Sequence, residues 1–77
     1  METGKIVRIF NHGYNMQVLC EDDQRLLSIY FEYEHFSSFC KKINKAGLKL
    51  NGLLINFDRN IVTVPSLGKR GEYLLTR

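Results

Sequence analysis

Two histidines and two cysteines are the residues whose types could support catalysis or metal binding. His12, His35, Cys20 and Cys40 could in principle form a zinc site or a thiol–imidazole nucleophile pair. Their spacing fits no recognised ligand pattern, and the cysteines do not form a CxxC pair. Both cysteines fall where we expect the core, in which reduced thiols act as small apolar fillers. The sequence therefore predicts no metal site and no cofactor.

The other polar residues form no catalytic constellation either. Asp22 and Asp23 are adjacent in a predicted turn and would point apart. The glycines match neither a phosphate-binding loop nor a dinucleotide fingerprint. We expect His35 to lie at the start of a helix rather than to act as a ligand. A protein that is not an enzyme is the resulting expectation.

Length and composition indicate one ordinary globular domain. The chain has 77 residues, of which 44% are hydrophobic and 25% are charged. No apolar stretch approaches the roughly 18 residues that a membrane span requires. Residues 1–10 lack the apolar run of a signal peptide, so we expect a cytoplasmic location and no membrane partner.

Charge is distributed unevenly along the chain. Residues 1–40 contain three basic and six acidic residues, whereas residues 41–77 contain eight basic and two acidic residues. The two parts therefore carry −3 and +6, within a total of +3. Such a split can leave a basic face that attracts an anionic partner.

The clearest element is an amphipathic helix over residues 34–46. Phe36, Phe39, Cys40 and Ile43 recur at i, i+3, i+4 and i+7, the apolar stripe of a helix that packs on a core. Gly47 follows, where a left-handed residue commonly ends a helix.

Three strands are predicted before this helix, over residues 6–10, 14–20 and 25–33. In the second strand Tyr14, Met16, Val18 and Cys20 share one face, as expected for a half-buried strand. Both faces of the third strand are mostly apolar. We therefore expect it to be central in the sheet, or covered on its outer side by the helix or a partner.

Two strands are predicted after the helix, over residues 53–57 and 61–64, where Pro65 ends the second. A helix between a third and a fourth strand is the element order of a five-stranded OB-type β-barrel, a mainly β fold with one helix. We assign the barrel to residues 1–65. Residues 66–77 then hold a flexible basic loop at 68–71 and an apolar segment at 72–76, expected to be a short sixth strand or a tail that orders on a partner.

The first predicted hairpin carries a family resemblance. Residues 4–10 (GKIVRIF) and 11–18 (NHGYNMQV) resemble the first hairpin of the RNA-binding OB barrels that repeat in the largest small-subunit ribosomal protein. Bacterial translation initiation factor one, a single barrel of similar size, belongs to that family. The order of elements matches through about residue 64. The resemblance implies an OB barrel that binds RNA.

Departures from the family pattern bear on this implied function. The family has two aromatic residues beside the glycine turn and a histidine on the third strand, which together form its nucleic-acid surface. The aligned residues here are His12, Asn15 and Ser28. His12 can stack on a base, whereas Asn15 and Ser28 can only form hydrogen bonds. Since stacking contributes about 1–3 kcal/mol per base, we expect weak binding. The predicted helix is also longer than the family's.

Two functions remain open at this point. The first is a module that binds single-stranded nucleic acid, RNA more than DNA, with little sequence preference. Its binding face would comprise Arg8, His12, Tyr14, Asn15, Arg25, Ser28 and Tyr30. The cations that attract the phosphate backbone of the nucleic acid would be Lys41, Lys42, Lys69 and Arg70.

The alternative is a protein-interaction module, such as a small regulator, inhibitor or assembly subunit, either monomeric or homodimeric. On this interpretation Lys41, Lys42, Lys45 and Lys49 are a solvated helix face. Phe10, Tyr14 and Tyr30 are either stacking platforms or ordinary core residues.

Overall fold

The computed structural model describes residues 2–75, apart from the side chains of Lys69, Arg70 and Leu74. The fold is mainly β with one α-helix, as predicted. The elements in chain order are β1 (Glu2–Asn11), β2 (Asn15–Glu21), β3 (Leu26–Glu32), α1 (Tyr33–Lys45), β4 (Leu54–Asp58), β5 (Ile61–Thr63), a 3-10 helix (Pro65–Arg70) and β6 (Glu72–Leu74).

The six strands form one antiparallel sheet in the order β3-β2-β1-β4-β5-β6. Strand pairing does not close this sheet into a barrel, since no ladder joins β3 to β6 within residues 2–75. One backbone hydrogen bond links the two edges, from the Glu32 N–H to the Leu75 carbonyl at 2.9 Å. The two ends of the sheet therefore approach each other at one point.

The position of β3 differs from the prediction. This strand is an edge of the sheet rather than its centre. The helix does not cover its outer side either, because Leu26 and Tyr30 remain 60% and 50% exposed. Central placement and coverage by the helix are therefore both wrong for this strand, and coverage of its outer side by a partner stays a prediction.

Helix α1 seals the inner side of the sheet as its periodicity predicts. Phe36, Phe39 and Ile43 are buried, and Cys40 packs partly buried beside them. Gly47 has a φ of +76°, as expected for the residue that ends the helix. The strands contribute alternate residues to the same core, including Ile6, Met16, Val18, Cys20, Ile29, Phe31, Ile55, Phe57, Val62 and Tyr73.

A β-bulge in β1 decides which way its side chains point. Ile6 pairs with Cys20, but the next pair is Arg8 with Leu19, so Val7 is an extra residue. In a regular strand Ile6, Arg8 and Phe10 would share the inner face. After the bulge it is Ile9 whose side chain lies on the inner side of the sheet, where it packs against the core. Ile9 pairs with buried Val18. Arg8 and Phe10 consequently point outward.

The segment after β5 contains a short helix at the place where a flexible basic loop is predicted for residues 68–71, and the flexibility itself stays a prediction. Residues 65–70 form a 3-10 helix with a kink at Gly68, whose φ is +62°. Of the two alternatives for residues 72–76, a short strand or a tail, the structure shows a strand, β6, which pairs with β5 and buries Tyr73. Leu75 is buried as well. Residue 76, included in the predicted segment, lies outside the described residues.

Candidate nucleic-acid interface

The outward side of β1, β2 and β3 carries two rows of side chains that run across the strands. Arg8, Leu19 and Ser28 lie opposite one another in one row. Phe10, Gln17 and Tyr30 form the other. The six residues of the two rows, together with His12, form what we call the outer face. The bulge in β1 is what places Arg8 and Phe10 on it.

Three side chains along β1 form a stack on the outer face. The Arg8 guanidinium carbon lies 5.1 Å from the centre of the Phe10 ring, which is a cation–π arrangement. The Phe10 and His12 ring centres are 6.4 Å apart, with the planes 23° from parallel. This stack combines a positive charge with aromatic surface along β1 and at the residue that follows Asn11.

A chain of hydrogen bonds crosses the same face. His12 Nε2 and Gln17 Oε1 are 2.8 Å apart, and Gln17 Nε2 donates to Ser28 Oγ at 3.0 Å. The chain starts at the end of β1, crosses β2 and ends on β3. Gln17 is therefore held on both sides, although its position is only partly buried.

Aromatic rings flank Gln17 on both neighbouring strands. Phe10 lies opposite it on β1, and Tyr30 lies opposite it on β3. Because neighbouring strands are about 4.7–4.9 Å apart, the two aromatic residues are separated by about 10 Å between their backbones. Tyr30 is half exposed, so its ring is accessible to a ligand. The outer face can thus stack with flat groups, form hydrogen bonds and contribute one cation.

Tyr14 and Asn15 lie at the end of this face. Asn15 is exposed and pairs with Glu32 across β2 and β3. Tyr14 is 92% exposed, and its carbonyl accepts a hydrogen bond from the Tyr33 N–H at 3.0 Å. Both residues line a surface depression with Glu32 and Glu34. Those carboxylates disfavour a phosphate there, so Tyr14 is less suited to nucleic acid than Tyr30.

Arg25 is placed away from the aromatic row. It lies in the turn between β2 and β3, about 17 Å along the strand from Tyr30 at roughly 3.3 Å per residue. Its guanidinium forms ion pairs with Glu2 and Asp22. Hydrogen bonds from the backbone N–H groups of Gln24 and Arg25 lower the pKa of Asp22. The Arg25 charge is therefore balanced locally by carboxylates.

The predicted backbone-attracting lysines lie on a different side of the sheet. Lys41 and Lys42 project to solvent from α1, which packs on the inner side through its buried stripe. The Lys42 ammonium lies 5.3 Å from the centre of the Tyr73 ring. The side chains of Lys69 and Arg70 lie outside the described residues. The structure thus brings Arg8, His12, Ser28 and Tyr30 together, but not with Lys41 or Lys42.

Gln17 and Leu19 belong to this face but were not predicted as site residues, and Phe10 was left between a stacking platform and the core. Gln17 matters most of these, because its side chain is hydrogen-bonded on both sides. Its alternation with Met16 and Val18 does place it on the outward side of β2. What sequence alone could not reveal is its register against Phe10, because the bulge at Val7 sets that register. If β1 had no bulge, Phe10 would point toward the core, and Gln17 would have no aromatic neighbour on β1.

Burial disfavours the reactive thiolate form of both cysteines. Cys20 is fully buried, and burial raises the pKa of its thiol to about 11. Burial also raises the pKa of Cys40. His35 Nε2 lies 3.9 Å from Glu32 Oε1, at the start of the helix as predicted. Within residues 2–75, no three His, Cys, Asp or Glu side chains are grouped so that they could hold a metal ion.

Burial should make the two thiols react at very different rates. Near neutral pH, a thiol reagent is expected to label Cys40 in the native protein and to label Cys20 only after unfolding, because the thiolate is the reacting species. The measurement is the time course of labelling with Ellman's reagent. A Cys40→Ser variant is the control and should show only the slow phase. Rapid labelling of that variant would contradict the burial of Cys20.

Comparisons with known proteins return no relative: no family model matches the chain, and no curated protein or solved structure matches it significantly. The outer face is therefore the feature of the molecule that bears on its function. Within the described part of the chain, no helix has the length and apolarity needed to cross a lipid bilayer.

Proposed function

We propose that the protein is a small OB-type module that binds single-stranded nucleic acid, RNA in preference to DNA, weakly and with little sequence preference. The observation that supports this most is the outer face. It presents exposed Tyr30, the Arg8–Phe10–His12 stack and a hydrogen-bonded glutamine on three adjacent strands. Rings that stack with bases beside a cation are the usual means of binding single strands. The preference for RNA rests on the resemblance of the first hairpin.

We further propose that the sheet is an OB-type barrel with an additional strand. The helix between β3 and β4 and the pairing of β1 with both β2 and β4 support this architecture. The hydrogen bond between Glu32 and Leu75 supports closure through β6, because it joins the end of β3 to the residue that follows β6.

The composition of the outer face sets the expected strength of binding. Each base stacked on an aromatic ring contributes about 1–3 kcal/mol. Among the seven residues that define the outer face, one is a Lys or Arg, namely Arg8, so we expect few phosphates to be neutralised there. Each phosphate contact to a single strand contributes about −0.7 to the slope of log K against log salt. We therefore expect weak affinity and a shallow salt dependence with a slope between about −0.7 and −2.

Replacing Tyr30 should weaken binding selectively. We expect Tyr30→Ala to lower the affinity for a fluorescent oligo-U about tenfold, because one stacking platform is lost. The measurement is fluorescence anisotropy at low and moderate salt. Tyr33→Ala is the matched control, since Tyr33 is similarly exposed, at 55%, but lies at the start of α1. Its affinity should equal that of the parent.

A pair of charge variants tests which surface of the protein contacts the phosphate backbone of the nucleic acid. Arg8→Gln and Lys45→Gln remove the same charge, from the outer face and from the helix respectively. Only Arg8→Gln should weaken binding and flatten the salt dependence. If no oligo-U binding is detectable at low salt, or if both variants behave alike, the proposal is wrong.

A second function, self-association through β3, is favoured by the exposed edge of that strand. The Glu32 N–H points toward β6, so Leu26, Ser28 and Tyr30 present their backbone groups on that same side. Within residues 2–75, Leu26 and Ser28 have no backbone partner there. An antiparallel pairing of two copies centred on Ser28 would set Leu26 of one copy against Tyr30 of the other and cover both.

The salt dependence of the interaction distinguishes this second function from the first. The turn between β2 and β3 is acidic, and its partner in such a dimer would be the acidic start of α1. Dimerisation should therefore strengthen with salt, whereas nucleic-acid binding should weaken. In analytical ultracentrifugation, Ser28→Lys and Ser28→Glu should each be monomeric, and an equal mixture of the two should dimerise. A parent that stays monomeric at every concentration and salt level excludes this function.

A further inference from the structure

The end of α1 and the 3-10 helix border a surface groove that combines lysines with apolar side chains. The residues that line this helix groove are Lys42, Lys45, Ala46, Leu67 and Tyr73, and its volume is about 430 Å³. We propose that the helix groove binds a short acidic peptide segment of another protein. An apolar side chain of that segment would fill the groove, and carboxylates on either side of it would contact the lysines. The site is separate from the outer face and does not depend on the proposed function.

The apolar lining of the helix groove comes from three elements. Ala46 caps α1, Leu67 lies in the 3-10 helix, and Tyr73 lies on β6. Leu67 is half-buried and packs against the core, and Tyr73 is buried. Because the core holds these side chains, the groove is formed before a ligand arrives. An apolar side chain that enters it is removed from water, which favours binding.

Two lysines supply positive charge at the edge of the helix groove. Lys42 and Lys45 are exposed and three residues apart, so they project from the same side of α1. The Lys42 ammonium lies 5.3 Å from the centre of the Tyr73 ring, which places its charge beside the apolar lining. Neither lysine forms an ion pair with another residue in the described part of the chain. A carboxylate from a partner can therefore pair with them.

The surroundings of the helix groove are also basic. Lys41 and Lys49 are exposed, and residues 41–77 contain eight basic residues against two acidic ones. The groove lies at the negative end of the α1 dipole, so the lysine side chains and not the helix must attract an anion. Charge complementarity then indicates an acidic ligand.

Nucleic acid fits the helix groove poorly. Single strands are bound largely by stacking of bases on accessible aromatic rings. The aromatic residue of the groove, Tyr73, is 8% exposed and has the Lys42 ammonium near its ring. Phosphates would contact the lysines but leave the apolar lining uncovered. The outer face, where Tyr30 is half exposed, suits nucleic acid better.

A lipid surface fits no better than nucleic acid. Proteins that lie on a membrane insert large apolar side chains below the headgroups. In the described part of the chain, none of the exposed large hydrophobic residues lines the helix groove. The inserted apolar group must therefore come from the ligand. A peptide that carries both an apolar side chain and carboxylates meets this requirement.

An NMR titration of the ¹⁵N-labelled full chain measures this binding. The probe is a short end-blocked peptide with one leucine between two pairs of glutamates, in a glycine and serine background. We expect the amides of residues 42–46, 67 and 73 to shift, with an affinity that falls as salt rises. Replacing the leucine of the probe by alanine should weaken binding about fivefold, because less apolar area is buried. Replacing its glutamates by lysines should abolish binding.

Protein variants assign the binding to the helix groove. Lys45→Glu should weaken probe binding about threefold to tenfold, because it turns the attraction of an exposed pair into a repulsion of similar size. Lys5→Glu is the matched control: Lys5 is exposed on β1 and does not line the groove, so binding at moderate salt should stay unchanged. Urea unfolding of both variants checks that they remain folded.

The outcomes separate the possible ligands. No shift of the groove amides, or equal affinity of the leucine and alanine probes, overturns the inference. Oligo-U that displaces the probe and shifts the groove amides overturns it as well, because the lysines then contact nucleic acid. Cosedimentation with phosphatidylcholine vesicles containing phosphatidylserine, lost in Lys45→Glu, would assign the groove to a membrane instead. If the probe binds but oligo-U binds nowhere, the inference stands and the proposed function is wrong.

Discussion

Phe39→Ala is expected to lower the free energy of unfolding by about 3–5 kcal/mol, the usual cost of truncating a buried Phe. Phe39 is fully buried. Its ring centre lies 5.2 Å from that of Phe31 on β3 and 5.1 Å from that of Tyr73 on β6. It therefore joins the helix to both edges of the sheet. In a domain whose total stability is about 5–15 kcal/mol, such a loss should leave much of the population unfolded on mild warming.

Urea and thermal unfolding followed by circular dichroism measure this effect. Tyr33→Ala is the control, because it removes an exposed ring from the same helix and should change stability little. A Phe39→Ala variant that unfolds with the same midpoint as the parent would show that the helix does not close the core. The assignment of the inner face would then be wrong.

Gly71→Ala is expected to cost roughly 1–3 kcal/mol, the usual effect of forcing an extra carbon into a packed site. A Cβ at this position would lie 2.5 Å from the Val64 carbonyl oxygen and 3.2 Å from both the Val64 nitrogen and the Leu67 Cβ. Two of these atoms are backbone and cannot move aside like a side chain. The Val64 N–H also donates to the Gly71 carbonyl at 2.7 Å, so the clash acts against an existing hydrogen bond.

The consequence of this substitution should extend to β6. Gly71 immediately precedes that strand, so displacing it disturbs the pairing of β6 with β5 and the burial of Tyr73. Ser66→Ala, at an exposed position of the same 3-10 helix, is the control and should melt like the parent. Hydrogen exchange of the β5 amides provides a second readout. Unchanged melting and unchanged exchange in Gly71→Ala would contradict the close packing of this turn.

The spacing of hydrophobic residues was sufficient to predict the elements that bury one face. The spacing of Phe36, Phe39 and Ile43 predicted α1, and the alternation of Met16, Val18 and Cys20 predicted β2 and its inner side. Both patterns arise because a buried stripe or face imposes its own period on the sequence. The cost of leaving Tyr73, Leu74 and Leu75 in water predicted that the segment docks, but it did not decide between an edge strand of the same sheet and a contact across a dimer.

Features that depend on pairing between distant strands could not be predicted in this way. The bulge at Val7 is set by the fit of β1 between β2 and β4, and no local residue type signals it. It nevertheless decides that Arg8 and Phe10 point outward. The edge position of β3 likewise depends on how the sheet is ordered, while the apolar residues of β3 suggested a central strand.

The site was predictable in part for the same reason. His12 lies in the glycine turn between β1 and β2, and Ser28 and Tyr30 lie on β3, where the turn and the alternation can be recognised from sequence. These three residues share one surface with Arg8. Arg25 and Tyr14 lie at opposite ends of the β2–β3 hairpin, each beside carboxylates. Lys41 and Lys42 follow the charge split of the sequence, but charge along the chain does not reveal which side of the sheet a helix covers.

Mapping by NMR tests the central claim most directly, that the outer face of β1–β3 binds single-stranded nucleic acid. An oligo-U is titrated into ¹⁵N-labelled protein, and the shifts of the backbone amides are followed. The amides of Arg8, Phe10, Gln17, Ser28 and Tyr30 are predicted to shift together along one binding curve, while those of α1 stay in place. Shifts confined to α1, or no shifts at low salt, would contradict the account.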